Sequence, residues 1–218
     1  MGRRKKEPPS VHRSQIAQAA SALFLEKGTA AVSMDDIAKA AGYSKATLYV
    51  YFENKDEIVS ALTLDSMKKL ADCVRAALQG TETTRQKYDL ICQQLVQYQR
   101  DYPFYFQTSL QTIDIEFDRQ DAFPEEKETY QVGEQINDMI RELLRSGIAR
   151  GELRRDIDLA PTSFSCWGML AGFIGFAANK EQYIQRALGL SRDQFLQHGF
   201  DLLYRSLENP AAKKGAAE

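Results

Sequence analysis

Lys45, Thr47, Tyr49, Tyr51 and Lys55 fall within one short stretch and bring two ammonium groups, an alcohol and two phenols close together in the chain. Lysine can bond guanine O6 and N7, and threonine can offer a base either its hydroxyl or its methyl. Tyrosine hydroxyls can bond phosphates while their rings pack. The chemistry on offer is therefore recognition by hydrogen bonds and charge. Chemistry of the bond-breaking kind has little to work with. His12 and His198 are the only histidines, and the sequence holds no Gly-rich phosphate loop, nucleophile elbow or metal-spaced set of histidines and carboxylates. An enzyme built on a helical bundle is thus a distant alternative, with no catalytic residue, cofactor or metal to assign.

The elements that must position these groups can be read around them. Ser33 with Asp36 three residues on has the spacing of a capping box, opening a short helix whose buried face would hold Met34, Ile37, Ala38 and Ala41. Gly42 can take the positive φ that ends it and turns the chain. Ser44 caps a second helix to about Phe52, in which Leu48 and Phe52, four apart, are core. This is the layout of a helix-turn-helix reader, whose second helix enters the major groove with its N-terminal residues toward base edges. Before it, a helix capped at Ser10 and ended by Gly28 presents Ile16, Ala19, Ala20, Leu23 and Phe24 as the strut. After it, Asn54 caps a long helix running to about Gly80, with Asp56 and Glu57 suiting its positive end. Lys55 does not suit that end, unless it receives a phosphate there together with the free N–H groups.

Ser33, Ile37-Ala38, Ala41-Gly42, Ser44, Leu48-Tyr49, Tyr51-Phe52, Asn54-Lys55 and Glu57-Ile58 together resemble the DNA-binding domain of TetR/AcrR-type transcriptional regulators. Tyr43 stands where a small β-branched residue is usual, and Lys45 and Ala46 where small residues are frequent, so the preferred bases are left open. The DNA-facing set expected here is Ser33, Tyr43, Ser44, Lys45, Thr47, Tyr49, Tyr51 and Lys55. The resemblance implies the phosphate role of Lys55. It further implies a small molecule bound in a C-terminal bundle that changes the separation of two readers and releases DNA.

Composition agrees with such a protein. Over 218 residues, 44% are hydrophobic, enough for a substantial core. Net charge is −2, yet residues 1–57 hold nine Lys or Arg against seven Asp or Glu, and the remainder 19 against 23. Arg3, Arg4, Lys5, Lys6 and Arg13 face only Glu7 in the first thirteen residues, which gathers positive charge where phosphates would need it. The arm before Ser10 is expected to be held extended by Pro8-Pro9 and either to contact a minor groove or phosphates or to serve only as a solubilising terminus. No uninterrupted apolar run approaches the roughly 18 residues that span a bilayer, and no signal peptide is visible, so a cytoplasmic protein without a membrane partner is expected. Cys73, Cys92 and Cys166 are few and far apart and read as buried small hydrophobes.

The fold expected is all-α: a three-helix helix-turn-helix domain over 1–57, a ligand-binding and dimerisation bundle over 58–208 joined to it by the long helix, and a tail over 209–218. Past a polar break at Thr81–Thr84, a helix to Tyr102 and an aromatic segment from Phe104 to Phe117 gather many of the aromatics. A ligand cavity lined by Tyr98, Tyr102 and Phe106, with Met139 and Trp167 from later helices, would take a small apolar or aromatic effector. A plain aromatic core is the other account of the same residues. Residues 118–124 read as a loop, followed by a helix from about Glu125 to Arg150. A helix opening at Pro161 and a last one from Ser191 to about Leu207 are apolar beyond what one side of a bundle needs, and Gly168, Gly172 and Gly175 would let a partner approach. They are assigned to a homodimer face. The function that follows is a dimeric repressor on a palindromic double-stranded DNA operator, released by a small molecule. A DNA-binding regulator controlled by a protein partner is the alternative.

Overall fold

The structure is a computed structural model that describes residues 8–80, 83–110, 120 and 122–211. The basic residues 1–7, Thr81-Glu82, the aromatic segment from residue 111 on, residues 118, 119 and 121 of the expected loop, and the tail from residue 212 lie outside the described residues. The described helices are α1 (Pro9–Lys27), α2 (Met34–Ala41), α3 (Lys45–Tyr51), α4 (Lys55–Leu78), α5 (Thr84–Asp101), α6 (Pro103–Thr108), α7 (Pro124–Ala149), α8 (Leu159–Asn179), α9 (Glu181–Leu188) and α10 (Arg192–Leu207), with a 3₁₀ turn at Thr29–Ala31. The chain is all-α among these residues, apart from a single antiparallel bridge between Leu153 and Glu208.

Several helix ends have their cause in single residues. α1 starts two residues earlier than a cap at Ser10 predicts, because Pro9 occupies the first turn, where its missing N–H is no loss. Pro9 is therefore helical rather than part of an extended arm. The Ser33–Asp36 capping box forms, and Gly42 closes α2 with φ 74° and ψ 24°. Asn54 accepts the Glu57 N–H at 2.9 Å, but the reciprocal bond shifts by one residue: Glu57 Oε2 accepts from the Glu53 N–H. Ser191 and Gln194 form a second capping box at α10.

The chain divides into two units. One comprises Met1–Lys68 and Tyr102–Tyr130, the other Lys69–Asp101 and Gln131–Glu218, so the division falls inside α4 and α7. The sequence places a boundary at Glu57 instead. In the first unit, Ile16, Ala20 and Phe24 of α1 pack with Ile37 and Ala38 of α2 and with Leu48, Phe52, Ile58 and Leu62. Phe104 of α6 joins them, its ring 5.6 Å from that of Phe24. Ala19, expected in this face, is half-buried.

In the second unit, Tyr88 of α5 is buried and donates to the Phe200 carbonyl of α10 at 2.9 Å. Arg85 bonds Asp89 and Asp201 and lies over the Tyr204 ring. Phe173 of α8 packs on Phe195 and Phe200, seated where Gly199 leaves out a side chain. Cys92 and Cys166 are buried, whereas Cys73 is only half-buried, a correction to the sequence reading. Helix α9 was not foreseen: it is short and buries only Ile184.

Helix α8 is, by length and composition, apolar enough to cross a membrane, through a run of Gly, Ala, Phe and Leu that Ser and Thr interrupt. Its inward residues, including Leu170, Ala171, Ile174 and Ala177, pack within the unit, while Phe164, Met169 and Phe176 are exposed.

Candidate nucleic-acid interface

Helix α3 is held by its two large apolar side chains. Leu48 and Phe52 are essentially fully buried, so the opposite face of the helix is forced outward. At seven residues and about 1.5 Å each, α3 is roughly 10 Å long, short enough to lie within a major groove about 12 Å wide. Its outward side chains are Lys45, Ala46, Tyr49 and Val50, and Val50 is 77% exposed.

The capping groups set the pitch of the two helices. Ser33 Oγ accepts the Asp36 N–H at 3.2 Å, and Asp36 Oδ2 accepts the Ser33 N–H at 3.0 Å. The Ser33 hydroxyl also donates to Asp36, and these bonds hold the Asp36 carboxyl below its usual range. Ser44 Oγ accepts the Thr47 N–H at 3.1 Å and lies 2.8 Å from the Thr47 hydroxyl. Ser33 and Ser44 thus serve the helix ends first, and both remain exposed.

Lys45 reaches Asp35 of α2, Nζ to Oδ1 2.8 Å, and this bond together with the Asp35 charge raises the lysine above its usual range. Both side chains are more than half exposed, so solvent screens the pair and Lys45 can exchange Asp35 for another acceptor. Tyr49 is exposed on the same side.

The other two tyrosines turn inward. Tyr43 donates to Gln15 Oε1 at 2.6 Å, and His12 Nδ1 lies 2.7 Å from the same hydroxyl. The Tyr51 ring packs beside His12 and edge-on to Tyr43. The large residue at position 43, unusual for the resembled pattern, is therefore a brace from the turn to α1. Of the expected DNA-facing residues, Tyr43 and Tyr51 are half-buried, and Lys45 and Tyr49 stand out from the surface.

Lys55 has a reason to sit at the start of α4 that the sequence did not show. Its ammonium donates to the carbonyls of Thr29 and Val32 at 2.8 and 3.1 Å, tying α4 to the turn before α2. Two of its three protons are thereby engaged.

Arg13 was read as one of the basic charges gathered around the reader, and the structure uses that charge internally. Its guanidinium lies 4.1 Å over the Phe52 ring. It donates to the Tyr51 carbonyl, to Glu57 Oε1 at 2.7 Å and to Glu125 Oε1 at 2.8 Å. The signal for this role lay in the fork geometry of arginine, but its partner Glu125 is too remote in sequence to be foreseen. Val50 was also passed over; an apolar residue outside the Leu48/Phe52 stripe is the cue that could have found it.

The expected effector-binding residues are dispersed. Tyr98 and Phe106 are buried, one in each unit; Tyr102 is exposed and stacks on Tyr105; Trp167 is half-buried on α8. Met139 lines a depression of about 400 Å³ in the second unit, together with Leu78, Leu143, Arg75, Lys87, Glu142 and Arg150 among others. A second depression, of about 370 Å³, lies between α5 and α10 and is lined by Val96, Leu196, Phe200 and Arg100 among others. Tyr98, Tyr102, Phe106 and Trp167 line neither.

Comparison with known proteins bears on the first unit most directly. Residues 16–62 match the model of the family described as bacterial regulatory proteins, tetR family. The regulator TtgR of Pseudomonas putida is 38% identical over 82 residues, which cover 38% of this chain and 39% of TtgR. The match thus spans well under half the length of that curated relative. Over the longer range, the structure of the TetR-family regulator PfmR of Thermus thermophilus is similar with TM-score 0.66 and 26% identity, covering 87% of this chain and 97% of PfmR. The structure of FadR of Bacillus subtilis, in complex with stearoyl-CoA, shares the fold with TM-score 0.68 at 18% identity, over 88% of this chain and 97% of FadR.

Proposed function

The chain belongs to the TetR/AcrR family of transcriptional regulators, which are DNA-binding proteins and not enzymes, and on that premise we propose that it is a homodimeric repressor of a palindromic operator. A small apolar or aromatic effector would release it. The observation that carries the reading is the outward face of α3. Lys45, Tyr49 and Val50 project from a helix anchored by Leu48 and Phe52, inside the stretch that matches the family. Lysine at the first turn suits guanine, and an exposed valine suits a thymine methyl.

Dimerisation is supported by the outer face of α8. Phe164, Met169 and Phe176 are exposed there, and the space over Gly168 and Gly172 is open. An exposed apolar stripe of this kind is the usual mark of an interface. Leu202 of α10 is also exposed and would extend the interface to both helices. Two readers related by a two-fold axis would meet half-sites about one helical turn apart, roughly 34–36 Å.

Release by an effector has two supports. FadR, of the same fold, binds stearoyl-CoA, and the lining of the depression beside Met139 combines apolar residues with Arg75, Lys87, Arg150 and Glu142. The effector need only prefer the conformation with lower operator affinity, and that preference sets how far the population moves. A cytoplasmic location follows from action on DNA. The test is a mobility shift with the DNA upstream of the protein's own gene, repeated with apolar and aromatic candidate effectors. A shift abolished by one of them supports the reading. No shift with any fragment overturns it.

A further inference from the structure

We propose that Arg13 is a positioning residue through which the first turn of α7 sets the angle of the recognition helix α3. The inference rests on the DNA-binding reading above and names a regulation of that same site. One guanidinium serves three elements at once. It holds the carbonyl of Tyr51, the last residue of α3, the carboxylate of Glu57 in the first turn of α4, and the carboxylate of Glu125 in the first turn of α7. Its flat face rests on Phe52, which anchors the end of α3 in the core.

The geometry assigns different duties to the two carboxylates. Glu57 also accepts the Glu53 N–H and is held by the Asn54 cap, so its bond to Arg13 is local to the turn between α3 and α4. Glu125 comes from far along the chain and has no part in building that turn. Its helix continues to Ala149, and from Gln131 on it belongs to the other unit. Arg13 with its two carboxylates is a partly buried set: the side chains are 30%, 16% and 20% exposed. Removing Glu125 leaves a charge-matched Arg13–Glu57 pair, so the turn survives and only the tie to α7 is lost. A lysine at position 13 cannot replace the fork, since it lacks the planar set of donors and the flat face for Phe52.

Because coupling between sites is reciprocal, an α7 first turn that biases α3 must itself respond when α3 binds DNA. The test uses the full-length protein and a DNA fragment from upstream of its own gene. Operator affinity is measured for wild type, Glu125→Gln, Arg13→Lys and the double variant, and amide hydrogen exchange is followed with and without DNA. We expect DNA to slow exchange at Glu125–Glu128 in the wild type and not in Glu125→Gln. Glu125→Gln should weaken operator binding by roughly twofold to tenfold, the range that single changes along a coupling network produce. The salt slope should not change, because no phosphate contact is lost. Arg13→Lys should weaken binding at least as much, and adding Glu125→Gln to it should cost little more. Thermal melts should show both single variants folded. If the wild type binds and Glu125→Gln matches it in affinity and in exchange at Glu125–Glu128, the tether is refuted while the DNA-binding reading stands. If the wild type binds no fragment, that reading fails and the tether fails with it.

Discussion

The Lys55 ammonium donates to the carbonyl of Thr29 at 2.8 Å, so the lysine that opens α4 closes the turn that precedes α2. Its second bond, to Val32, leaves one proton for an outside acceptor. Lys55→Ala removes both charge-assisted bonds and should lower stability by about 1–3 kcal/mol in urea unfolding. If the third proton meets a phosphate, the same change weakens binding to all sequences and reduces the log–log salt slope by about 0.9. A fully stable Lys55→Ala variant would show that the two carbonyl bonds are replaced by water at no cost.

Gly199 and Phe173 make the second such pair. A Cβ at position 199 would run into the Phe173 ring, which itself is packed between Phe195 and Phe200. Gly199→Ala should therefore destabilise the chain by about 1–3 kcal/mol, the usual cost of overpacking, and Phe173→Leu in the same chain should recover part of it. The measurement is the urea midpoint of the three variants.

The thiols give a pH-dependent expectation. Burial pushes Cys92 up to about 12 and Cys166 up to about 11, and it raises the half-buried Cys73 as well. In the unfolded chain these groups ionise near 9, so above that pH the unfolded state loses protons that the folded state keeps. The stabilisation is complete below about 9 and is lost as pH rises through about 11 to 12. Buried Tyr204, also raised to about 12, acts in the same direction. The urea midpoint should fall steeply over that window, and Cys92→Ala should flatten the fall. At neutral pH, iodoacetamide should modify Cys73 in native protein before Cys92 or Cys166, as mass spectrometry would read.

The outer face of α8 gives the expectation for assembly. Phe176 is 47% exposed, beside the open space at Gly172. Phe176→Arg should shift the sedimenting species from dimer to monomer and weaken operator binding by about tenfold or more. A variant that still sediments as a dimer would place the interface elsewhere.

The first unit was readable because its signals are local. Ser33, Gly42, Ser44 and Asn54 act on backbone groups within a few residues, and the Leu48/Phe52 spacing fixes which face of α3 is buried. The contacts that the sequence did not show there depend on distant partners: Arg13 on Glu125, Lys55 on Thr29, Tyr43 on Gln15 and His12. In the second unit the long helices were legible from period alone, and Ser191 announced α10. Helix α9 escaped because a single buried residue makes no period. Four of the five positions expected to bind an effector, all but Met139, are aromatic, and aromatic side chains serve a core as readily as a cavity.

Footprinting of the full-length protein on the DNA upstream of its own gene tests the central claim most directly. Two protected half-sites, related by a palindrome and centred roughly 34–36 Å apart, are expected. Lys45→Ala should change which base is preferred within each half-site and leave the spacing intact. Absence of protection on every fragment from that region, with the protein folded and dimeric, would contradict the account.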